Sequence, residues 1–109
     1  MERVEASRRV VTAVDSTVIQ AGPLRIVPDE FVATLNGQRL RLTLKEFQLL
    51  ALFASNPGKV LRRQRIGLEV WGRQDPGRTI DIHVARIRRH LPAGAIETVI
   101  RVGYRFTLP

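Results

Sequence analysis

Hydrophobic and polar positions along the chain predict short strands first and helices afterwards. Apolar and polar residues alternate in Gln38–Leu42, and two short β-prone segments, Leu24–Val27 and Phe31–Leu35, precede it. Such patterns are typical of half-buried strands. Asn36-Gly37 separates two of these segments, and both residue types tolerate the positive φ of a two-residue hairpin turn. The pattern predicts a small antiparallel sheet at the front of the domain.

Helical spacing replaces this alternation from residue 43 onward. Thr43 and Glu46 have the spacing of a capping box, which predicts a first helix that ends at Asn56-Pro57-Gly58. A second helix is predicted from about Arg62 to Trp71. A third helix is predicted over residues 79–91, because its apolar residues are spaced 4, 3 and 4 apart and form one stripe: Ile80, Val84, Ile87 and Leu91.

Two further strands, Ile96–Ile100 and Tyr104–Leu108, close the chain around a tip at residues 101–103. The order of strands, three helices and a hairpin predicts an α+β fold: a winged helix-turn-helix with an N-terminal antiparallel sheet, a three-helix bundle and a C-terminal β-hairpin wing. Gly22 and Pro23 mark its predicted start. We therefore expect a flexible tail or linker over residues 1–22 and a winged-helix domain over residues 23–109.

Composition excludes several kinds of chemistry. The 109 residues include no cysteine and only two histidines, so the chain offers no disulfide or thiolate site and too few imidazoles for most zinc sites. No nucleophile triad, paired carboxylates or phosphate-binding glycine motif stands out, and Asp75 and Asp81 are interpreted as structural. We expect no enzyme activity, no metal and no cofactor.

Segments for membranes or secretion are also missing from the pattern. The longest apolar runs, such as Leu49–Ala54, are far shorter than the roughly 20 residues of a membrane span. The first 20 residues mix charged and polar groups, unlike a secretory signal. The sequence predicts a soluble, cytoplasmic domain that does not bind membranes.

Positive charge is concentrated in the second half of the chain. The net charge is +8, of which residues 59–109 contribute +7, and 16 of the 18 basic residues are arginine. Clustered positive charge is the electrostatic signature of nucleic-acid binding, because neutralised phosphates release counterions. GC-rich codon usage would account for arginine over lysine, but it does not account for the location of the charge.

The third helix carries the candidate contacts on the face opposite its apolar stripe and, for Thr79 and His83, on one flank of the helix. Arg86 lies mid-helix and is our candidate for reading a guanine edge. His83 suits a base edge or a phosphate, Ile82 suits thymine methyl groups, and Arg89 suits the backbone. Arg78 and Thr79, where the helix begins, suit phosphate. The alternatives are a solvated charged face with one stray exposed isoleucine; Asp81 either supports the helix start or pairs with a nearby arginine.

Several separate motifs, in the right order, resemble those of a known family. Residues 24–108 resemble the C-terminal effector domain of OmpR/PhoB-type response regulators of bacterial two-component systems. The resemblance rests on Leu42-Thr43-Leu44-Lys45-Glu46-Phe47-Gln48-Leu49-Leu50, Asn56-Pro57-Gly58-Lys59-Val60, Val70-Trp71-Gly72, Arg78-Thr79-Ile80-Asp81-Ile82-His83-Val84, Arg86-Ile87-Arg88 and Gly103-Tyr104-Arg105-Phe106.

The resemblance implies a transcription regulator that binds double-stranded DNA sequence-specifically. It implies a recognition helix, 79–91, in the major groove and a wing, 96–108, at the minor groove. By position it implies phosphate contacts from Arg78, Thr79 and Thr98, and contacts with phosphate or base edges from His83 and Arg86. It also implies a contact with the DNA backbone from Arg88 and with a phosphate or sugar from Trp71. For Trp71, a place in the core or as a lid over it is the alternative.

Three departures from the family pattern stand out. Ala85 occupies a position where many relatives carry a basic residue. Relatives usually read Val-Arg-Gly-x-Gly-Tyr-Arg-Phe in the wing, whereas this chain places Ile100 and then Arg101 after Val99. Arg101 can therefore replace the usual minor-groove arginine only if the tip bends differently. The loop 72–77 is also shorter than usual, and in the family this loop can contact RNA polymerase.

One such domain reads only a few base pairs, so we expect two copies on a direct or inverted DNA repeat and a monomer without DNA. The segment before residue 23 is too short for a phosphorylated receiver domain, which needs on the order of 100 residues. The chain is then either an effector fragment or a stand-alone or differently fused regulator. The alternative function is a winged-helix protein-interaction module with weak or non-specific DNA binding.

Overall fold

A computed structural model describes residues 18–108. A four-stranded antiparallel sheet comes first, and its strands lie side by side in chain order: β1 (Ile19–Ala21), β2 (Leu24–Val27), β3 (Val32–Leu35) and β4 (Gln38–Arg39). The tail predicted over residues 1–22 falls mostly outside the described residues. Within them, β1 pairs with β2, so the sheet begins before the predicted boundary at residue 23. Gln20 supports this turn by donating its side-chain amide to the carbonyls of Gly22 and Leu24.

Two strand boundaries of this sheet differ from the sequence prediction. Phe31 is not extended: it ends a short 3-10 turn, Pro28–Glu30, and has a left-handed φ of 52°. β4 has two residues rather than the predicted five. The Leu40 amide still donates to the Ala33 carbonyl at 2.8 Å, and the chain then runs from Arg41 to the start of the first helix. The predicted hairpin turn is confirmed, with Asn36 and Gly37 both at positive φ.

The first helix, α1 (Leu44–Ala54), begins with the predicted capping box. The Thr43 hydroxyl accepts from the Glu46 amide at 3.3 Å, and the Glu46 carboxylate accepts from the Thr43 amide at 3.0 Å. The buried face of α1 includes Phe47, Leu50 and Phe53 and lies at the centre of the core. Burial of each such side chain contributes roughly 1.5–3 kcal/mol.

The second helix begins one residue later than predicted. Arg62 ends strand β5 (Val60–Arg62), and α2 (Arg63–Ile66) continues into a π-helical stretch, Gly67–Trp71. Gly67 is buried, and a Cβ at this position would overlap the carbonyl oxygen of Arg73 and lie 2.7 Å from Pro76 Cδ. Glycine therefore lets the loop after α2 fold back against the helix.

The third helix, α3 (Thr79–Arg88), packs against α1 through the predicted apolar stripe. All four predicted residues of the stripe are buried: Ile80, Val84, Ile87 and Leu91. The helix ends at Arg88 rather than at residue 91. Just before Pro92 the hydrogen bonds span three residues instead of four, as in a 3-10 helix. The His90 amide donates to the Ile87 carbonyl, and the Leu91 amide donates to the Arg88 carbonyl.

The C-terminal wing is part of a second sheet. Strands β6 (Ile96–Val99) and β7 (Gly103–Phe106) form the predicted antiparallel hairpin, and β5 pairs with the other edge of β7. Ile100 belongs to the turn rather than to the first wing strand, and the second strand runs over Gly103–Phe106 rather than the predicted Tyr104–Leu108. Because β5 leads directly into α2, the wing is tied to the helical bundle. Within residues 18–108, no helix is long and apolar enough to cross a membrane.

Candidate nucleic-acid interface

One face of α3 is exposed along the whole helix, opposite the buried stripe. Ile82 keeps 48% of its surface exposed. The other outward positions predicted from the sequence are also exposed: Arg78, Ala85, Arg86 and Arg89. The face thus presents three arginines around one branched aliphatic side chain, and Asp81 lies to one side of it.

On one flank of α3, His83 is held between Thr79 and Trp71. The His83 Nδ1 atom lies 2.8 Å from the Thr79 carbonyl oxygen and 3.3 Å from the Thr79 hydroxyl. A carbonyl only accepts, so the proton of this bond lies on Nδ1, and a neutral ring then leaves Nε2 as an acceptor. The Trp71 and His83 rings meet edge to face, with centroids 5.1 Å apart.

Trp71 is half-buried and packs against the hydrophobic core. The indole partly covers the core, which was one of its two predicted roles, and it also supports the His83 ring. Its contact with a phosphate or sugar stays a prediction. The structure brings Thr79 and His83 together on the flank they were predicted to share, and adds Trp71 to them, which the sequence did not predict.

The opposite flank of α3 meets the wing through five side chains, here named the wing-base cluster: Arg63, Asp81, Arg88, Thr98 and Tyr104. Asp81 is its centre. Its carboxylate accepts two bonds from the Arg63 guanidinium, at 2.7 and 3.3 Å, and one from the Tyr104 hydroxyl. Asp81 therefore pairs with an arginine, which was one of its two predicted roles.

The electrostatics of the cluster follow from these bonds. The hydrogen bond from Arg63 holds the pKa of Asp81 below its usual value, and the Tyr104 hydroxyl acts in the same direction. Burial raises the pKa of Tyr104, and its bond to Asp81 raises it further. The same ion pair raises the pKa of Arg63. At neutral pH the cluster is therefore a charged pair with a neutral phenol.

Arg88 joins the end of α3 to the first strand of the wing. Its guanidinium donates to the Thr98 hydroxyl at 2.8 Å and to the Ile96 carbonyl at 2.8 and 3.2 Å. The guanidinium carbon also lies 5.7 Å from the centre of the Tyr104 ring, within cation–π range. Arg88 and Thr98 were both expected at the DNA backbone. That expectation stays a prediction, and a phosphate would share or replace the bond between them.

The wing tip, here Ile100 and Arg101, has almost no support from the rest of the fold. Ile100 has 78% of its surface exposed, and Arg101 is exposed with a φ of 66°. The Val102 amide closes the turn by donating to the Val99 carbonyl at 2.9 Å. Arg101 occupies the glycine position of the usual family pattern and adopts a left-handed φ although it is not glycine.

Sequence reasoning did not select Arg63 or Tyr104. Both lie far from Asp81 in sequence, at separations of 18 and 23 residues, and no local pattern marks the contact. The only available signal was the expectation that Asp81 pairs with some arginine. Of the predicted residues, the structure joins Arg88 to Thr98 and gathers Trp71, Thr79 and His83. Arg101 lies apart at the wing tip.

Comparison with known proteins agrees with this architecture. The family described as "Transcriptional regulatory protein, C terminal" matches residues 37–106. The regulatory protein VanRB of Enterococcus faecalis is 35% identical over 107 residues, which are 96% of this chain and 48% of VanRB. The chain thus spans about half the length of this relative.

Two solved structures share the fold closely. The DNA-binding domain of CpxR from E. coli superposes with a TM-score of 0.78 at 32% identity, covering 85% of this chain and 99% of that one. The Klebsiella pneumoniae RstA DNA-binding domain, in complex with the RstA box, has the same TM-score at 26% identity and the same coverage. The chain belongs to the family of C-terminal domains of transcriptional regulatory proteins, of the OmpR/PhoB response-regulator type.

Proposed function

We propose that this domain regulates transcription by binding double-stranded DNA sequence-specifically, with α3 in the major groove and the wing at the minor groove. The observation that carries the proposal is the exposed face of α3, which places Arg86 and Ile82 opposite a buried apolar stripe. A major groove about 12 Å wide admits such a helix. The related RstA DNA-binding domain was solved in complex with the RstA box, which supports DNA binding by this chain.

The side chains at the centre of this face contact the bases. Arg86 presents two parallel N–H donors to the O6 and N7 acceptors of guanine, and Ile82 contacts thymine methyl groups. His83 donates from Nδ1 to the Thr79 carbonyl, so its neutral ring offers Nε2 as an acceptor. That acceptor suits the amino group of cytosine or adenine, and only the protonated ring donates to a phosphate.

Backbone contacts surround the base-reading centre. Arg78, the N-cap residue of α3, makes no side-chain capping bond, which leaves the first-turn amides to a phosphate beside Arg78 and Thr79. Arg89 and Arg101 add cations, while Arg88 and Thr98 hold the wing and share a phosphate. Trp71 supports His83 and contacts a phosphate or sugar.

We further propose that two copies bind a repeat, that the domain is monomeric without DNA, and that it works in the bacterial cytoplasm without catalysing a reaction. RNA polymerase is a further partner, to be tested at the loop between α2 and α3. This loop folds back on Gly67 through the bond from the Arg73 amide to the Gly67 carbonyl, at 3.2 Å.

An unbiased selection of DNA sites with the purified chain tests the proposal. We expect an enriched motif, which Arg86→Ala should weaken by about tenfold or more at specific sites while changing random DNA little. Arg39→Ala is the matched control, because Arg39 is also exposed but lies in the front sheet.

Absence of any enriched motif overturns the proposal. Affinity should also fall steeply with salt, because several phosphates are neutralised, and a flat salt dependence contradicts groove docking. Chemical-shift changes on DNA addition should concentrate in Thr79–Arg89 and Thr98–Gly103. Changes elsewhere, without an enriched motif, would favour a protein-interaction module instead.

A further inference from the structure

The wing tip combines two unusual features, an exposed aliphatic side chain and an arginine at positive φ. Ile100 has the largest exposed fraction among the exposed large hydrophobic residues of the described chain, at 78%. Arg101 follows at φ 66°, a conformation that costs a non-glycine residue roughly 1–2 kcal/mol. Nothing in the described fold packs against Ile100 closely enough to bury it. Protein stability therefore does not explain an isoleucine at this position.

The turn geometry shows how the tip relates to the usual wing. The bond from the Val102 amide to the Val99 carbonyl makes Ile100 and Arg101 the two central residues of the turn. The second position of such a turn requires positive φ when the first is extended, and glycine ordinarily fills it. Arg101 takes that position here. In the register of the usual pattern, Ile100 therefore occupies the place of the arginine and Arg101 that of the first glycine.

We propose that Ile100 makes the wing an apolar reader of the minor groove that selects A·T over G·C pairs. Guanine places its N2 amino group in the minor groove, whereas A·T pairs present only acceptors and the adenine C2–H edge. An aliphatic side chain pressed against that amino group leaves a donor without a partner, which is costly. Against an A·T pair the same side chain meets no unsatisfied donor.

Two properties of the tip reinforce the selection. Isoleucine is stiff at χ1, so its branched end cannot move aside as easily as an unbranched side chain. Arg101, next to it, adds a positive charge at the groove, and this charge favours the strongly negative minor groove of A·T tracts without the side chain having to enter it. The two side chains therefore prefer the same sequences for different reasons, one steric and one electrostatic.

This inference rests on the proposed function, because it places the wing at the minor groove. The test uses the selected motif, with the base pairs protected by the wing located by hydroxyl-radical footprinting. These pairs are then replaced as a block by A·T, G·C, inosine·C or diaminopurine·T. Inosine·C lacks the minor-groove amino group but keeps the major-groove pattern of G·C, and diaminopurine·T adds the amino group to an A·T pair.

We expect the A·T and inosine·C duplexes to bind alike, and about tenfold more tightly than the G·C and diaminopurine·T duplexes, a ratio typical of one mismatched position. Ile100→Ala should reduce this ratio to about twofold, the part left to Arg101. Leu44→Ala, which shortens another exposed aliphatic residue far along the chain, should leave it unchanged.

A second variant guards against indirect effects of shortening the side chain. Ile100→Arg with Arg101→Gly restores the usual family order and should bind all four duplexes with a smaller ratio than the natural tip. Equal binding of the four duplexes by the natural chain, with the Arg86→Ala effect intact, overturns this inference and leaves the proposed function standing. A full ratio retained by Ile100→Ala overturns it as well. Failure to select any motif overturns the proposed function itself.

Discussion

The base and the tip of the wing differ in how strongly the rest of the fold holds them, although both lie in one short hairpin. At the base, Gly103 and Tyr104 are buried, and Asp81 and Arg88 bond the wing to α3. At the tip, Ile100 is largely exposed and Arg101 has an unfavourable φ. The base stabilises the orientation of the wing relative to α3, whereas Ile100 at the tip is too exposed to contribute much to packing. We therefore expect substitutions at the tip to change stability much less than substitutions at the base.

The base of the wing is closely packed, because backbone as well as side chains meet there. A Cβ on Gly103 would overlap the carbonyl oxygen of Leu61 and lie 2.9 Å from its carbonyl carbon. Strands β5 and β7 approach this closely while Arg62 pairs with Gly103 in the ladder. The Arg63 amide then donates to the Val102 carbonyl at 3.2 Å. The start of α2 is therefore fixed to the wing.

The largest expected effect is that of Gly103→Ala. The added methyl group has no room unless β5 and β7 separate, so the free energy of unfolding should fall by about 3 kcal/mol or more. Urea denaturation measures this loss. The control is Gly37→Ala, where φ is 81° but nothing lies within 4 Å, so only backbone strain of roughly 1 kcal/mol is expected. Equal losses in the two variants would show that the base is less tightly packed than described.

Asp81→Asn should have the next largest effect, because it removes the charge at the centre of the wing-base cluster. Arg63 and Asp81 are partly exposed, at 38% and 48%, so solvent screening limits the expected loss of unfolding free energy to about 1 kcal/mol. DNA affinity should fall with it, as α3 and the wing lose their fixed relation.

The pH dependence of the loss of unfolding free energy in Asp81→Asn shows whether the missing charge or altered packing causes it. Folding lowers the pKa of Asp81 from 3.8, so its contribution is complete above about pH 5 and disappears as pH falls through the lowered value. The gap in unfolding free energy between the natural chain and Asp81→Asn should therefore be constant near neutrality and close in acid. A gap that stays open at the lowest pH at which both chains fold would assign the effect to altered packing.

The smallest expected effect is a gain in the free energy of unfolding, in the variant Arg101→Gly. Arg101→Gly removes a side chain from a left-handed conformation, and the higher entropy of unfolded glycine offsets part of the benefit. We expect the unfolding free energy to rise by about 0.5 kcal/mol. DNA affinity should fall severalfold, because a cation is lost. Arg101→Ala keeps the unfavourable φ and should weaken DNA binding without the gain in stability. A stability loss in Arg101→Gly would mean that the arginine supports the tip.

Local sequence patterns predicted most of the fold, because caps, turns and apolar stripes depend only on residues that are close together in the chain. The capping box of Thr43 and Glu46, the Asn36-Gly37 turn and the buried stripe from Ile80 to Leu91 all follow from spacing over a few positions. Boundaries were less exact where the chain had to connect elements. β4 ends early because the chain turns toward α1, and α3 ends at Arg88 in a tightened turn.

The candidate interface was only partly predictable. The outward face of α3 followed from helical period, since a buried stripe determines what lies opposite. The roles of Arg88 and Thr98 in holding the wing did not follow, because their bond joins two elements whose relative position no periodicity reports. The same holds for Gly67, which the sequence marks only as an unfavourable helix residue, although a folded-back loop requires its missing side chain.

The sequence by itself determined the order of the elements, the apolar face of each helix and the half of the chain that carries the excess charge, because these depend on residue type and spacing. Only the tertiary structure decided that Arg63 and Tyr104 meet at Asp81, that Gly103 lies against Leu61 and that the wing tip bends at Arg101. The reason is physical: such contacts exist only after helices and strands have packed, and packing brings together residues that the chain keeps far apart.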